Sequence, residues 1–422
     1  MDQTPIGKKV AAIEKKFKAA TEQATTAQNE YRNEYLQIER SPDYREYLKK
    51  RRELAEKEDS TWEIERKAMA EAARKIYAAR HNELTRLAVI ATPETQRLGF
   101  DVLSYPRVDG STSTQPLSVI IASRILGTSY EWIYPEPYGS PYRERLHLPD
   151  DLLLYDVYDR YGNRADIEFT MAASQAVAKP ARPGQERLVV MINSLLAASS
   201  STHDAYTNLV ARKCDLNLTA RPPSREELAL ASQKGVNIEL RPIARDALVF
   251  IVNYRNPVKT ISREQLVRIY QGNLKSWSEL GGPATNVTAF WRERESGSRE
   301  LFDTLVTPGK RLSDPERSRE LFSNSMGGPF SQVNMNPHGI GYSVYYYEHF
   351  MSLSPYTRKI GIDGVEPTPE TIASGKYPYV AEVYAAYRAD EPKDGATMKL
   401  LNWLLSREGQ AVVRESGYVP IE

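Results

Sequence analysis

From about residue 98 to the end of the chain, short β-like runs alternate with amphipathic helical stretches. That alternation restricts this part of the sequence to an α/β fold with mainly parallel sheets. The run DALVFIV at 246–252 is apolar after Asp246, the pattern of a strand buried on both faces. Ser224-Arg225-Glu226-Glu227 and Ser262-Arg263-Glu264-Gln265 have the spacing of capping boxes. Gly235 and Gly272 are placed to end the helices that follow them. Residues 129–190 break the rhythm. Rich in Tyr, Pro and Arg and poor in helical periodicity, they read as an insertion.

Residues 1 to about 92 obey a different rule. They hold a single glycine, Gly7, and are dominated by Ala, Glu, Lys and Arg. Val10, Ile13, Phe17, Ala20, Ala24, Ala27, Tyr31 and Ile38 follow mostly three- and four-residue steps, one face of a helix. Ser41-Pro42-Asp43 can start a second helix, and Trp62, Met69, Ala73, Ile76, Leu84 and Leu87 line another stripe. The expectation is an α-helical hairpin or coiled-coil extension ending at Thr92-Pro93. Its seam is Ala-rich and interrupted near Glu34, which favours a stabilising appendage over a partner-binding coiled coil. Residues 1–92 remain the candidate surface for a protein partner.

Charge and composition exclude several functions. Lys plus Arg (56) balances Asp plus Glu (55), so a net charge of +1 gives no bulk attraction to nucleic acid, and any anion site must be local. The lone Cys214 excludes an internal disulfide and sits in an apolar stretch, as an inert core residue would. No apolar run reaches the ~18 residues of a membrane span. The opening MDQTPIGKKV has no apolar signal core, which fits a cytosolic chain or one whose export signal has been removed. Tyrosine (26) outnumbers phenylalanine (9) without an evident functional reason.

Enzyme signatures are weak, and neither cofactor nor metal is expected. There is no GxxxxGK[ST] phosphate loop, and His81, His147, His203, His338 and His349 are scattered without metal-ligand spacing. His203 lies between Thr202 and Asp204, but three adjacent residues at one helix start cannot form a relay.

Three segments share one design, small hydroxyl residues followed at once by a helical pattern. The first runs from Asp109 and Gly110 through Ser111, Thr112, Ser113, Thr114 and Gln115 to Pro116. The second has Ser201 and Thr202 ahead of a helix through Ala205 and Leu209. The third has Ser296, Gly297 and Ser298, with Arg292 four residues earlier. A helix start offers unpaired N–H groups and about half a positive charge, hydroxyls add donors, and an arginine supplies a charged fork. Each segment alone is explained as well by ordinary N-capping. Together they suggest a small-oxyanion site.

With these segments in view, the chain resembles a known family. YPRVDGSTSTQP (105–116), THDAYTNLVARKCD (202–215), SREQLVRIYQGNLKSWSELGG (262–282), RERESGSR (292–299), HGIGYS (338–343) and WLLSREGQAVVRESGYVP (403–420) are similar to the phosphate-binding components of bacterial ABC importers. These are the PstS-like branch of the type II periplasmic binding proteins. The resemblance spans about residues 98–422 and omits the N-terminal extension and the insertion. It implies a two-lobed clamp closing on inorganic phosphate outside the cytoplasm and passing it to an ABC permease, without catalysis. It implies one lobe from 98–246 with 388–422 and another from 254–380. The hinge strands would be about 246–253 and 379–388. By motif, Ser113, Thr114 and Gln115 fall in the first ligand loop, Thr202 at the second, Arg292 at the ligand arginine, and Ser296, Gly297 and Ser298 at the third helix. Arg299 is expected to face outward. An interaction or sensor role for the extension is the alternative reading.

Two departures stand out. The family's carboxylate that accepts the proton of bound phosphate falls on Ala220, with Arg221 next to it, and a second acidic position falls on Arg294. Asp204 and Asp109 are the candidate substitute acceptors.

Overall fold

The apolar run at 246–252 forms the centre of one strand of 16 residues, and most of the sheet is organised around it. The computed structural model describes residues 97–133, 173, 175–309, 312, 321–323, 325–352, 354 and 357–421, with Pro42 and Glu46, both helical. The rest of the predicted N-terminal extension and the centre of the 129–190 segment lie outside the described residues. The chain divides into two units, Met1–Ile76 and Tyr77–Glu422, and the architecture below belongs to the second.

This unit has a two-lobed mixed α/β fold. Before the long strand come β1 (Val108–Gly110), α1 (Gln115–Leu126), β2 (Ser129–Ile133), β3 (Gln175–Lys179), α2 (Glu186–Met191), α3 (Thr202–Val210), β4 (Leu216–Thr219) and α4 (Arg225–Gln233). The long strand is β5 (Ile238–Asn253). After it come β6 (Thr260–Ile261), α5 (Arg263–Tyr270), β7 (Thr288–Ala289), β8 (Trp291–Arg292), α6 (Gly297–Leu305), β9 (Phe322–Ser323), α7 (Gly328–Met335), β10 (Gly339–Val344) and β11 (Thr357–Ile362). The chain closes with α8 (Pro369–Ala373), β12 (Val380–Arg388), α9 (Ala396–Leu404), α10 (Arg407–Glu415) and β13 (Val419–Pro420).

Both predicted capping boxes form, at Ser224 and Ser262, and Gly235 and Gly272 follow their helices with φ of +67° and +72°. Strands β2 and β3 pair antiparallel, so the two ends of the insertion are zipped together.

The expectation of mainly parallel sheets is corrected. β1–β4, β7–β10, β6–β11 and β8–β9 are parallel, but β12 runs antiparallel to both β4 and β5, and β10 and β11 run antiparallel to β5. Helix–strand alternation predicts parallel neighbours, whereas a strand inserted from a distant part of the chain can enter in the opposite sense.

Strand β5 changes partners along its length. Ile238 to Ala247 pair with β12, and Leu248 to Asn253 pair with β10 and β11. Leu248 through Val252 are fully buried. Phe250 sits against Tyr270, Phe302, Tyr342 and Tyr379 at ring separations of 5.9–6.2 Å, and through Phe302 this cluster anchors α6 to β5.

Asp246 lies next to that change of partners, 1% exposed. Its Oδ1 accepts the N–H groups of Ala247 (2.8 Å) and Tyr346 (3.0 Å). Burial nevertheless pushes its pKa up to about 7. The folded state thus holds this proton more tightly than an unfolded chain, whose Asp ionises near ~3.9. Ionising it costs stability, so its contribution is full below about pH 4 and is lost as pH rises through about 7. Asp246→Asn keeps an acceptor and removes the ionisation. Its melting temperature should exceed that of the parent at pH 8, with the gap narrowing as the pH falls below about 7 and closing only near pH 4. A gap that does not change with pH would contradict this origin.

Candidate functional site

Two helix starts meet in this structure. At α3 the N-cap Ser201 accepts the Asp204 N–H at 3.1 Å and donates to Asp204 Oδ2 at 2.8 Å. At α6 the N-cap Ser296 accepts the Arg299 N–H at 3.2 Å. The cap hydroxyls therefore serve their own helices. The residues just inside, Thr202 on α3 and Gly297 and Ser298 on α6, are the ones brought to the junction. A Cβ on Gly297 would lie 2.6 Å from Thr202 Oγ1 and 3.4 Å from Thr202 Cβ, so the missing side chain is what permits the approach.

Thr202 Oγ1 is 2.8 Å from Ser111 Oγ, which itself accepts the Ala220 N–H at 3.1 Å. If Ser111 donates to Thr202, the Thr202 proton is left for whatever enters the junction. Ser111 is not among the predicted site residues. A run of hydroxyls in DGSTST cannot say which one faces a residue 91 positions away.

Arg292 is carried on β8, paired with Ser323 of β9, and is 3% exposed. Its Nε donates to Ser298 Oγ at 3.2 Å and its Nη1 to Ser323 Oγ at 3.5 Å, while its backbone N–H is fixed by the Tyr342 hydroxyl at 3.0 Å. Burial pulls its pKa down to about 10, against the opposing fields of Tyr342, Tyr347 and Glu293. It stays protonated at neutral pH, and an anion beside it would restore the lost stability of its charge.

The side-chain donors of Thr114 and Gln115 are committed to scaffolding. Thr114 Oγ1 lies 2.6 Å from the Leu218 carbonyl and 2.9 Å from that of Ser111, and Gln115 Nε2 donates to the Ala176 carbonyl at 2.8 Å. Ser113 is buried, and its carbonyl accepts the Tyr418 hydroxyl at 2.9 Å.

Neither candidate acceptor is presented to the junction free of partners. Asp109 takes the N–H groups of Gly110 and Ser200, the Ser200 hydroxyl and the Asn208 amide, all at 2.7–2.9 Å. Asp204 is exposed and bonded to Ser201. Arg294 is exposed, and His203 Nδ1 lies 3.1 Å from Glu227 Oε1, away from any nucleophile relay. Cys214 is buried, and burial raises its thiol pKa, as an inert core cysteine requires.

The sequence marks Arg221 as the neighbour of the missing acid but does not place it among the site residues. Arg221 is 2% exposed and end-on to Glu227, with Nη1 and Nη2 each 2.7 Å from a carboxylate oxygen. Its Nε has no hydrogen-bond partner and lies 3.8 Å from the position of a Gly297 Cβ. The signal was present in ARPPSREE. The capping-box glutamate Glu227 stands six residues after Arg221, but the fork between them depends on the turn that brings them together.

Arg299 does not face outward. It is fully buried, its Nε bonds Asp303 at 3.1 and 3.2 Å, and its guanidinium lies 4.5 Å above the Trp291 ring. One turn of helix brings Asp303 under it, and Trp291 covers it from the preceding strand.

In this two-lobed fold, helix starts, hydroxyls and guanidinium groups thus converge at one junction. The chain belongs to the PBP superfamily, whose domain it matches over residues 175–408. It is 23% identical over 249 residues to the phosphate-binding protein PstS of Borreliella burgdorferi, covering 57% of this chain and 86% of that one. It is 28% identical over 171 residues to PstS of Bacillus subtilis, covering 40% of this chain and 53% of the relative. The corresponding figures for PstS of Pseudomonas aeruginosa are 28% over 255 residues, 56% and 76%. An ABC-type phosphate transport receptor from Vibrio cholerae is a similar solved structure, with 19% identity, coverage of 74% of this chain and 99% of that one, and a TM-score of 0.47.

Arg299→Ala should act on stability. Removing one partner of a buried ion pair costs about 3–5 kcal/mol, which urea denaturation measures. A variant within about 0.5 kcal/mol of the parent would show that the Asp303 and Trp291 contacts carry no weight.

Proposed function

We propose that the chain is a solute-binding protein that captures inorganic phosphate, or a similar tetrahedral oxyanion, in the cleft between its lobes. It acts outside the cytoplasm, hands the anion to an ABC permease and does no chemistry on it. The observation that carries this reading is the meeting of the α3 and α6 starts at Thr202 and Gly297, next to the buried Arg292. Helix starts supply oriented N–H groups and positive potential, and a desolvated guanidinium needs an anion more than water does. Three relatives named phosphate-binding protein support phosphate as the anion. Among the described residues no helix is long and apolar enough to cross a membrane.

The proposed ligand set is Thr202, Arg292, Gly297 and Ser298, joined by Ser296, whose oxygen caps α6 while its O–H stays free to donate, with the loop of Ser113, Thr114 and Gln115 closing one side through its backbone. The lobes are 98–246 with 388–422, and 254–380. They would be joined through β5 and β12, in keeping with the change of partners between Ala247 and Leu248.

Titration calorimetry with phosphate tests the reading directly, and absence of binding by the folded chain would defeat it. Arg292→Ala should weaken phosphate binding by about 2–5 kcal/mol, because the anion stays desolvated while its charge partner is lost. A loss below about 0.5 kcal/mol, within the range of a neutral surface change, would remove Arg292 from the site.

Selectivity gives a second test. With Asp109 and Asp204 holding donors of the protein itself, no predicted acceptor remains to read the phosphate proton. Sulfate should therefore compete measurably with phosphate at both pH 7 and pH 8. Exclusion of sulfate at both values would require a carboxylate in the cleft.

A further inference from the structure

Arg221 holds two donors in reserve. A guanidinium has five N–H groups in a fixed plane. Nη1 uses both of its own, on Glu227 Oε2 at 2.7 Å and on the Pro222 carbonyl at 2.8 Å, and Nη2 uses one, on Glu227 Oε1 at 2.7 Å. Five less three leaves the Nε–H and the second Nη2–H. These two lie on one edge of the plane, parallel and spaced to receive two oxygens of a carboxylate, sulfate or phosphate. The Nε of that edge lies on the Gly297 side, at the start of α6.

Everything around the group holds it in place and leaves that edge open. Glu227 grips its far end and is itself fixed by the Ser224 N–H at 2.7 Å and by its own capping box. The Tyr206 hydroxyl donates to the Arg221 carbonyl at 2.8 Å, and the Tyr206 ring lies 5.6 Å from the guanidinium carbon. Burial lowers the pKa of the guanidinium, but the Glu227 bonds more than offset this, with smaller help from Tyr206 and Glu300. A buried N–H without a partner is costly. A rigid guanidinium whose free edge borders the junction of two helix starts fits a ligand contact better than a packing error.

We infer that Arg221 is a second ligand-binding arginine, which grips the bound oxyanion side-on through Nε and Nη2 at the junction that Arg292 also borders. The inference rests on the oxyanion reading above and adds to it. The position next to the missing acceptor becomes a donor, and the site reads charge and shape rather than the ligand's proton.

The arginine Nε–H resonances of the full-length protein, recorded by ¹⁵N-resolved NMR during a phosphate titration, test this directly. Arg221→Lys identifies the Arg221 signal and keeps a cation against Glu227. That signal should move downfield as phosphate saturates the site, and the lysine variant, with unchanged melting temperature, should bind phosphate about 10- to 100-fold more weakly. Calorimetric binding with an unmoved Arg221 Nε–H, or a lysine variant within about twofold of the parent, would overturn the role of Arg221 and leave the phosphate reading standing. Absence of any phosphate binding by the parent would overturn both.

Discussion

A guanidinium taken out of water must have its charge met, and much of this structure is arranged around arginines in that position. Arg107, Arg221, Arg292, Arg299 and Arg388 are each no more than 8% exposed. Arg107 and Arg388 share Asp215 at 3.2 and 3.7 Å, which ties the start of β1 to the end of β12 through the residue that precedes β4. Arg299 has Asp303 and the face of Trp291. Arg221 has Glu227. At Arg292 burial lowers the pKa, and the hydroxyls of Ser298 and Ser323 lie against the guanidinium. Desolvation of a charge by several kcal/mol per ion is tolerable only where a counter-charge follows. Arg292 and Arg299, seven residues apart, thus meet different groups, the hydroxyls of Ser298 and Ser323 at one and the Asp303 carboxylate with the Trp291 ring at the other.

The abundance of tyrosine has a structural account along the same lines. Buried tyrosines tie backbone segments together through their hydroxyls. Tyr377 donates to the Leu248 carbonyl, Tyr346 to that of Ser416, and Tyr418 to that of Ser113, at 2.7–3.0 Å. Tyr346 and Tyr418 stack at 3.9 Å, and the Tyr346 N–H reaches Asp246 on β5. A continuous set of contacts therefore runs from the long strand to the first helix-start loop. At these three positions a phenylalanine could fill the same space but could not satisfy the carbonyl.

Local patterns were legible in the sequence, and long-range geometry was not. The apolar run of β5, the capping boxes at Ser224 and Ser262 and the glycine stops are encoded within a few residues, and each forms. The sense of β12 against β5 depends on where a strand more than a hundred residues later is inserted, and alternation alone suggested the wrong sense. Arg299 was placed outward because its own helix allows it, and only Trp291 together with Asp303 fixes it inward. Arg221 stood out only as the neighbour of the missing acid, because its role lies in three partners and one empty edge, none of which is a property of sequence spacing.

The ambiguity of hydroxyl-rich helix starts also has a physical resolution. A serine before a helix can cap it or bind a ligand, and spacing alone does not separate the two. In this chain the tasks fall on adjacent residues. Ser201 and Ser296, in extended conformation at the N-cap, turn their oxygens back to the third N–H of the helix. Thr202, Gly297 and Ser298 already have helical geometry, so their side chains or bare Cα atoms project past the helix end, where the first N–H groups also point. A cap fixes the orientation of those N–H groups, and the next residue decides what may approach them. Thr202 offers a hydroxyl, and Gly297 offers no obstruction. Two helices equipped in this complementary way can come end to end without colliding. Their combined positive potential then has to be met by something between them, and a small dianion answers it better than any neutral solute.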